Sequence, residues 1–207
     1  MKDFNHYGRK TLILIGNDKI GRHAFLKISN VELDLSNFDF ALDSSRNIFS
    51  IYKLIFNRRI SVQCFLKMAF SELIRKNYPP IENNYLIRSD KDLYKLLREN
   101  RYGQVILFRG GLIVKKRNLS LGISFLNIHC ANIPEYGGLC SIHKALKDGA
   151  LNQRCCLHTV TVKIDDPSEI LDTEPYTLKP EKSYFWNEEI AYTAGIELLM
   201  RFIANAQ

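Results

Sequence analysis

The chain has 207 residues, a hydrophobic content of 46%, a formal net charge of +7 and a pI near 9.1. A chain of this length can bury roughly 70% of the surface of its unfolded form, so we expect a single domain over residues 1–207. The basic residues are scattered, which favours a solvated surface over a nucleic-acid interface. The apolar runs fall far short of the ~20 residues of a membrane span, so we expect no membrane partner either.

Five cysteines are present, an odd number, and none forms a Cys-x-x-Cys pair. The sequence shows no signal peptide, so reduced thiols and a cytoplasmic location are the simplest interpretation. The histidines show no metal-ligand spacing. We therefore expect no metal.

The first elements in chain order are a strand, a glycine turn and a helix. Residues 11–15 form a β-branched apolar run, Gly16 and Asn17 break it, and apolar residues recur at helical spacing from Phe25. Backbone amides at such a turn can bind a phosphate, which would make Gly16 and Asn17 substrate-binding residues. An ordinary strand-to-helix turn is the alternative, because neither a dinucleotide fingerprint nor a Walker motif is present.

The middle of the chain is rich in helical patterns. Residues 31–43 predict one strand plus a loop, and residues 47–57 have helical spacing. The strongest pattern runs over 61–77, where apolar residues repeat every three or four positions, and Pro79 follows it. We expect this apolar stripe to pack in the core, although a homodimer interface would use it equally well. Residues 89–97 predict a further helix with a serine cap.

The rest of the chain alternates strands and helices. Residues 104–108 and 124–128 predict buried strands, and 141–147 predicts a short helix. Residues 155–164 and 169–178 predict two more strands, and 187–204 predicts a closing helix. The alternation predicts a doubly wound α/β fold with a mostly parallel sheet and a site at the carboxyl edge of the strands.

Polar residues stand at the end of the strand at 124–128. Asn127 and His129 lie two residues apart, so on an extended chain both side chains point to the same face. An amide and an imidazole in that arrangement can converge on one reacting atom. They could equally satisfy local backbone groups.

A longer pattern surrounds these two residues. Asn127-Ile128-His129 followed by Ile133-Pro134-Glu135-Tyr136-Gly137-Gly138 resembles the Asn-x-His and Leu-Pro-x-Tyr-x-Gly signature of formyltransferases that use 10-formyltetrahydrofolate. The family's third catalytic residue is an aspartate after a later strand, and residues 157–165 match that stretch. The resemblance implies a Rossmann-like formyltransferase fold and a catalytic set of Asn127, His129 and Asp165.

The resemblance also implies binding residues. The backbone that lines the slot for the folate's pterin ring would be supplied by Phe108, Arg109, Gly110, Gly111, Leu112, Ile164 and Asp166. The acceptor amine, expected to be a small molecule that carries a phosphate, would contact Gly16, Asn17, Tyr136, Gly137 and Gly138. The co-substrate would be 10-formyltetrahydrofolate, without a metal.

The resemblance leaves the acceptor open. The helical pattern at 47–77 departs from that of glycinamide ribonucleotide transformylases, which favours an amino sugar of a nucleotide-sugar. Alternatives are glycinamide ribonucleotide, water as in the formyltetrahydrofolate deformylases, and a non-catalytic folate-binding module. The chain lacks the carboxyl-terminal domain of the tRNA formyltransferases, which disfavours tRNA.

Overall fold

A computed structural model describes residues 10–45, 54–58, 60–82, 85–163 and 169–206. Within these residues seven strands form one sheet in the order β3-β2-β1-β4-β5-β6-β7. Neighbouring strands from β3 to β5 pair in parallel, whereas β6 and β7 are antiparallel additions at one edge. The strands are β1 (Lys10–Gly16), β2 (Phe38–Asp43), β3 (Tyr85–Ile87), β4 (Tyr102–Phe108), β5 (Ser124–His129), β6 (Asn152–Thr159) and β7 (Ile170–Thr177).

Helices connect these strands. Four of the helices begin at a serine or aspartate whose side chain accepts a hydrogen bond from a backbone amide in the first turn. Pro79 and Pro80 follow the second helix, which ends at Ile74. The helices are α1 (Lys19–Ser29), α2 (Val62–Ile74), α3 (Asp90–Glu99), α4 (Lys116–Leu119), α5 (Ser141–Lys147) and α6 (Tyr184–Asn205).

The central strands of the sheet are buried on both faces. Along β1, Leu12 and Leu14 join one apolar cluster while Ile13 and Ile15 join the cluster on the opposite face. This explains why the sequence of β1 is continuously apolar rather than alternating. The strand order reverses between β1 and β4, so the carboxyl ends of these neighbouring strands flank a switch point.

The predicted fold class is confirmed, and several elements match their predicted bounds. The helix at 141–147 has those bounds, while the strand predicted over 155–164 runs instead from Asn152 to Thr159. Of the helix predicted over 47–57, residues 54–56 form a helical turn, and residues 46–53 lie outside the described residues. No helix in the described part of the chain is long and apolar enough to cross a membrane.

The predicted core packing of α2 is wrong. Val62, Leu66, Phe70, Leu73 and Ile74 are all exposed. The helix instead buries its other face, which carries Cys64, Ser71 and, just past its end, Arg75. The physical reason is a group of ion pairs at Arg75 that fixes the rotation of the helix.

Candidate active site

Four neighbouring parallel strands end at the same edge of the sheet. Gly16 closes β1, Asp43 closes β2, Phe108 closes β4 and His129 closes β5. Most of the residues predicted for the site follow these strand ends directly. The fold therefore brings sequence-distant residues to one edge, as the doubly wound architecture requires.

Asn127 and His129 lie on the same face of β5, as predicted from their spacing. Both are half-buried, while the apolar residues Leu126 and Ile128 point to the opposite face. Alternation along a strand thus separates a polar pair from an apolar pair.

The Asn127 amide is positioned by His158 on β6. The two residues are partners in the antiparallel ladder, and Asn127 Nδ2 lies 3.3 Å from His158 Nε2. His158 Nδ1 lies 2.9 Å from the carbonyl oxygen of Thr159, which can only accept. Nδ1 therefore carries the proton of the neutral ring, and Nε2 accepts a hydrogen bond from Asn127. His158 is 1% exposed, which confirms the prediction that it is a core or supporting residue.

The His129 ring is oriented by the segment that follows it. Its Nε2 lies 2.9 Å from the carbonyl oxygen of Tyr136, which can only accept a hydrogen bond. Nε2 therefore carries the proton and donates that hydrogen bond, and in the neutral ring the lone pair lies on Nδ1. Two turn hydrogen bonds, from Tyr136 N to Asn132 O and from Gly137 N to Pro134 O, bring that carbonyl into place. Gly138 follows with a φ of +77°, a conformation that favours glycine.

Asp165 lies outside the described residues, as do Ile164 and Asp166. Their predicted roles therefore stay predictions. The chain before them ends its strand at Thr159, and the chain after them begins β7 at Ile170.

The glycine pair after β4 holds a buried carboxylate. Asp43 Oδ2 accepts hydrogen bonds from Gly111 N at 2.6 Å and Leu112 N at 2.8 Å. A Cβ at Gly110 would lie 2.9 Å from the same oxygen, so a larger residue there would displace the Asp43 carboxylate. The backbone predicted to line the folate slot is therefore fixed by Asp43, and two of its amide donors are already used.

Phe108 and Arg109 face the interior. The Phe108 ring is fully buried and packs against Gly195 of α6, so the predicted folate contact of this residue is limited to its backbone. The Arg109 guanidinium forms an ion pair with Asp18, with Nε and Oδ2 3.0 Å apart, and donates a hydrogen bond to the Tyr192 hydroxyl. It also lies above the Tyr192 ring, 4.5 Å from the centroid.

The turn after β1 already binds carboxylates. Gly21 N donates a hydrogen bond to Asp18 Oδ1, and Lys19 N donates one to Glu72 Oε1. Both donor–acceptor distances are 2.9 Å. A Cβ at Gly16 would meet the Arg109 carbonyl oxygen at 2.5 Å, so glycine is required for β1 and the loop after β4 to approach. Asn17 donates its backbone N–H to Asp43 O and its side-chain amide to Ser44. A phosphate bound at this turn would lie beside the acids of Asp18 and Glu72.

The Cys130 thiol does not share the face of His129. Its sulfur lies 2.8 Å from the position that a Cβ on Gly195 would take, against α6. A nucleophilic thiol paired with the imidazole is therefore not what this geometry offers. Among the residues that the structure describes, no group of three or more His, Cys, Asp or Glu side chains could hold a metal ion.

Sequence reasoning missed Asp43 and the acids that surround Arg109. Asp43 binds amides 68 and 69 positions away, a distance in sequence that no local pattern reports. A signal was nevertheless present, since Asp43 ends the apolar strand β2 as an acid at the carboxyl edge.

Comparisons with known proteins agree on the architecture. No family model matches the chain, and no curated protein matches it by sequence. Among solved structures, a phosphoribosylglycinamide formyltransferase from Anaplasma phagocytophilum is similar, with a TM-score of 0.64 and 16% identity over 95% of this chain and 85% of that one. A sugar N-formyltransferase from Shewanella is also similar, with a TM-score of 0.62 and 15% identity. That comparison covers 95% of this chain and 69% of the Shewanella protein.

A formyltetrahydrofolate deformylase from Pseudomonas syringae is also similar, with a TM-score of 0.60 and 14% identity. That comparison covers 96% of this chain but 63% of the deformylase. The names of these three proteins describe different activities, and all three share one fold with this chain. Taken with the seven-stranded, mostly parallel sheet and its switch point, these similarities show that the chain has the formyltransferase fold.

Proposed function

We propose that this protein is an enzyme that transfers a formyl group from 10-formyltetrahydrofolate to a primary amine. The observation that carries the proposal is the Asn127–His129 pair, half-buried on one face of β5 at the carboxyl edge of a formyltransferase fold. An independent contact supports it, because His158 and the Tyr136 carbonyl fix the two side chains in defined orientations.

The chemistry needs one donor and one proton carrier. The acceptor amine attacks the formyl carbon, and the carbonyl electrons move to its oxygen. The carbonyl then re-forms as the C–N bond to the folate breaks, and the folate nitrogen keeps that bond's electron pair and takes up the proton that the amine loses. Asn127 donates an N–H to the developing oxyanion, an interaction typically worth about 100- to 1,000-fold in rate. His129 stabilises the same charge and exchanges the proton, which is typically worth about 100- to 10,000-fold.

We propose that Asp165 completes the set. In this role its carboxylate orients the His129 imidazole and stabilises its cationic form, as a carboxylate does for histidine in unrelated enzymes. The proposal rests on the match of residues 157–165 to the family pattern. The buried position of His158, which belongs to the same pattern, supports the alignment.

The folate would bind at the loop after β4 and at residues 164 and 166. The fit favours recognition by a shaped backbone, because Asp43 holds Gly111 and Leu112 rigidly at the switch point. The partly buried side chains of Leu112 and Val160 belong to one apolar cluster and could cover an aromatic ring. The folate supplies the formyl group, and the chain's own residues position and polarise it.

We propose an amino sugar of a nucleotide-sugar as the acceptor. Tyr136, Gly137, Gly138, Gly16 and Asn17 are the residues we propose to contact it. The helical pattern at 47–77, which departs from that of glycinamide ribonucleotide transformylases, supports this choice. Glu72 and Asp18 already accept from Lys19 N and Gly21 N, so a phosphate of the acceptor would bind outside these two amides. Glycinamide ribonucleotide, hydrolysis by water and folate binding alone remain the alternatives to test.

We also propose that the protein acts in the cytoplasm as a single catalytic domain. Its five cysteines form no disulfide with one another, as expected in a reducing compartment. The seven described strands belong to one sheet, which supports a single domain.

The experiment measures release of tetrahydrofolate from 10-formyltetrahydrofolate by purified protein. Acceptors are a panel of nucleotide-linked amino sugars and glycinamide ribonucleotide, each compared with buffer alone. We expect release that depends on an amino sugar and falls at least 100-fold in His129→Ala. His143→Ala is the matched control, because the His143 ring on α5 packs against Tyr184 of α6 and should leave the rate unchanged.

Other outcomes decide between the alternatives. Release that needs glycinamide ribonucleotide would replace the acceptor, and release without any acceptor would indicate a hydrolase. An equal rate in wild type and His129→Ala would contradict the proposed catalytic site.

A further inference from the structure

Two thiols from distant parts of the chain meet beside the candidate site. Cys64 lies in the first turn of α2, and Cys140 directly precedes α5. The Cys64 thiol donates a hydrogen bond to the Cys140 sulfur, and no disulfide links the two residues. Neither thiol has a part in the proposed formyl transfer, so that chemistry does not explain their contact.

The backbone holds both residues at the start of a helix. Cys64 N donates a hydrogen bond to Ser61 Oγ over 3.1 Å, and Cys140 O accepts one from Lys144 N over 2.9 Å. Cys140 has a φ of +60°, a left-handed conformation that a residue other than glycine keeps only when its surroundings impose it. The two sulfurs are therefore held in contact by fixed segments of backbone.

The two thiols differ in access and in protonation. Cys64 is 0% exposed, whereas Cys140 is partly exposed. The hydrogen bond from Cys64 and the positive charge of Lys144 outweigh burial and lower the pKa of Cys140, while the same hydrogen bond raises the pKa of Cys64. Since the thiolate is the reactive form, an oxidant in solution meets Cys140 first, with Cys64 behind it as the resolving thiol.

A second pair of neighbouring thiols lacks these properties. Cys155 contacts Cys130, but the two residues are 0% and 6% exposed, and burial raises the pKa of Cys155 well above its usual value. Cys155 Sγ also donates a hydrogen bond to Ala191 O over 3.1 Å. Protonated thiols out of reach of solvent are inert, so contact alone does not make a reactive pair. Access and charge distinguish Cys140.

The reactive pair is joined to the candidate site through a short segment. Cys140 follows four residues after Tyr136, whose carbonyl oxygen accepts a hydrogen bond from His129 Nε2. Disulfide sulfurs lie about 2.05 Å apart, closer than hydrogen-bonded sulfurs, so oxidation would draw Cys140 toward α2. Ion pairs of Arg75 with two glutamates of α6 fix α2, whereas the segment contains two glycines. The segment should therefore move rather than the helix.

We propose that Cys64 and Cys140 form a reversible disulfide that withdraws the Tyr136 carbonyl from His129 and so lowers the rate of the reaction. The effect on the rate rests on the function proposed for His129, whereas formation of the disulfide does not. The oxidant is a peroxide, and a dithiol reductant reverses the reaction.

The reaction takes place in two steps. The Cys140 thiolate attacks one oxygen of hydrogen peroxide, the O–O bond breaks, and the hydroxide that leaves takes up a proton to become water. The Cys64 sulfur then attacks the sulfenic sulfur of Cys140, the S–O bond breaks, and the departing hydroxide takes the Cys64 proton. The two thiols lose two electrons in total, and the peroxide is reduced to two molecules of water.

Peptide mapping tests the disulfide. Purified protein is treated with a small excess of hydrogen peroxide, alkylated while unfolded, digested without reductant and analysed by mass spectrometry. We expect a peptide linked through Cys64 and Cys140 that dithiothreitol separates, with Cys130 and Cys155 still alkylated. Cys64→Ser should instead keep a sulfenic acid at Cys140 that dimedone traps. Cys155→Ala is the matched control and should form the same disulfide as the wild type.

Two readouts test the effect on the site. The imidazole ¹⁵N resonances of His129, which need no turnover, should shift on oxidation of the wild type and not of Cys64→Ser. The rate of tetrahydrofolate release should fall by about 10-fold or more and recover with dithiothreitol. A protein without turnover would contradict the proposed function and leave mapping and NMR to decide the disulfide. No link between Cys64 and Cys140, or a link that leaves the His129 resonances unchanged, would overturn the inference.

Discussion

Asn127 on β5 and His158 on β6 are partners in the antiparallel ladder, and the buried His158 ring holds the Asn127 amide in position. The ring accepts from the Asn127 amide because its other nitrogen donates to the Thr159 carbonyl. Without it, the amide could rotate away from the position in which it meets an oxyanion. His158 is therefore a positioning residue, and its effect should appear in the rate of the chemical step.

We expect His158→Ala to lower kcat by roughly 10- to 100-fold, less than the loss of the donor itself, with the KM for 10-formyltetrahydrofolate unchanged within twofold. His158→Gln should recover part of the rate, since its amide offers both a donor and an acceptor. Steady-state kinetics provide the measurement. The control is Cys155→Ala, buried on the other face of β6. A rise in KM with an unchanged kcat would assign His158 to binding instead.

Asp90 is a second residue whose contacts predict a measurable effect. Its carboxylate accepts hydrogen bonds from Lys115 N at 2.8 Å, Arg117 Nε at 2.7 Å and Asn118 Nδ2 at 2.6 Å, and so ties the segment after the glycine loop to α3. Burial alone would raise the pKa of Asp90, but these three hydrogen bonds outweigh it and hold the pKa below its usual value.

The lowered pKa makes the stabilising effect of Asp90 depend on pH. The unfolded carboxyl titrates near pH 3.9, so the contribution is fully present above about pH 4 and is lost as the pH falls toward the lower pKa of the folded state. We expect Asp90→Asn to be less stable at pH 7 by about 1–3 kcal/mol and to lose less stability than the wild type as the pH falls below about 4. Urea unfolding at several pH values measures both. If the free energy of unfolding changed with pH in the same way for the wild type and Asp90→Asn, the result would contradict this role.

At the scale of elements, α2 is held by charge rather than by apolar packing. Burial would lower the pKa of Arg75, but the carboxylates of Glu188 and Glu189 outweigh it and raise the pKa, so the guanidinium stays charged. The same region joins α1, α2, α6 and the loop after β4, because Arg109 lies between Asp18 and Glu188. Removal of one partner leaves the others buried and uncompensated.

We expect Arg75→Met to reduce the free energy of unfolding by about 3–5 kcal/mol. Adding Glu188→Gln should restore part of that loss, since the unpaired buried carboxylate is then removed. The control is Lys95→Met, which breaks an exposed pair with Glu99 and should cost less than about 0.5 kcal/mol. Chemical denaturation of the four proteins gives the values. A loss no larger for Arg75→Met than for Lys95→Met would show that the ion pairs do not fix α2.

At the scale of the whole molecule, local patterns predicted most of the fold. The apolar run of β1, the serine-capped α3 and the helix at 141–147 each depend on neighbouring residues, and each matches the structure. The direction in which α2 faces could not be predicted, because it depends on Glu188 and Glu189, more than 110 positions away.

The candidate site likewise has features that the sequence predicts and features that it does not. The shared face of Asn127 and His129 follows from the strand period and could be predicted. Three contacts of the site join separate segments of the chain. They are His158 with Asn127, the Tyr136 carbonyl with His129, and Asp43 with Gly111. These contacts exist only after the strands are ordered, so the sequence alone could not reveal them.

The most direct test of the proposed formyl transfer traces the formyl carbon from 10-formyltetrahydrofolate to the product. Wild-type protein is incubated with 10-formyltetrahydrofolate labelled with ¹³C in the formyl group and with a nucleotide-linked amino sugar, and the products are separated for mass spectrometry. We predict that the label appears as an N-formyl group on the sugar and that neither Asn127→Ala nor His129→Ala forms the product at a comparable rate. Label found only as free formate, or equal product from the variants, would contradict the account.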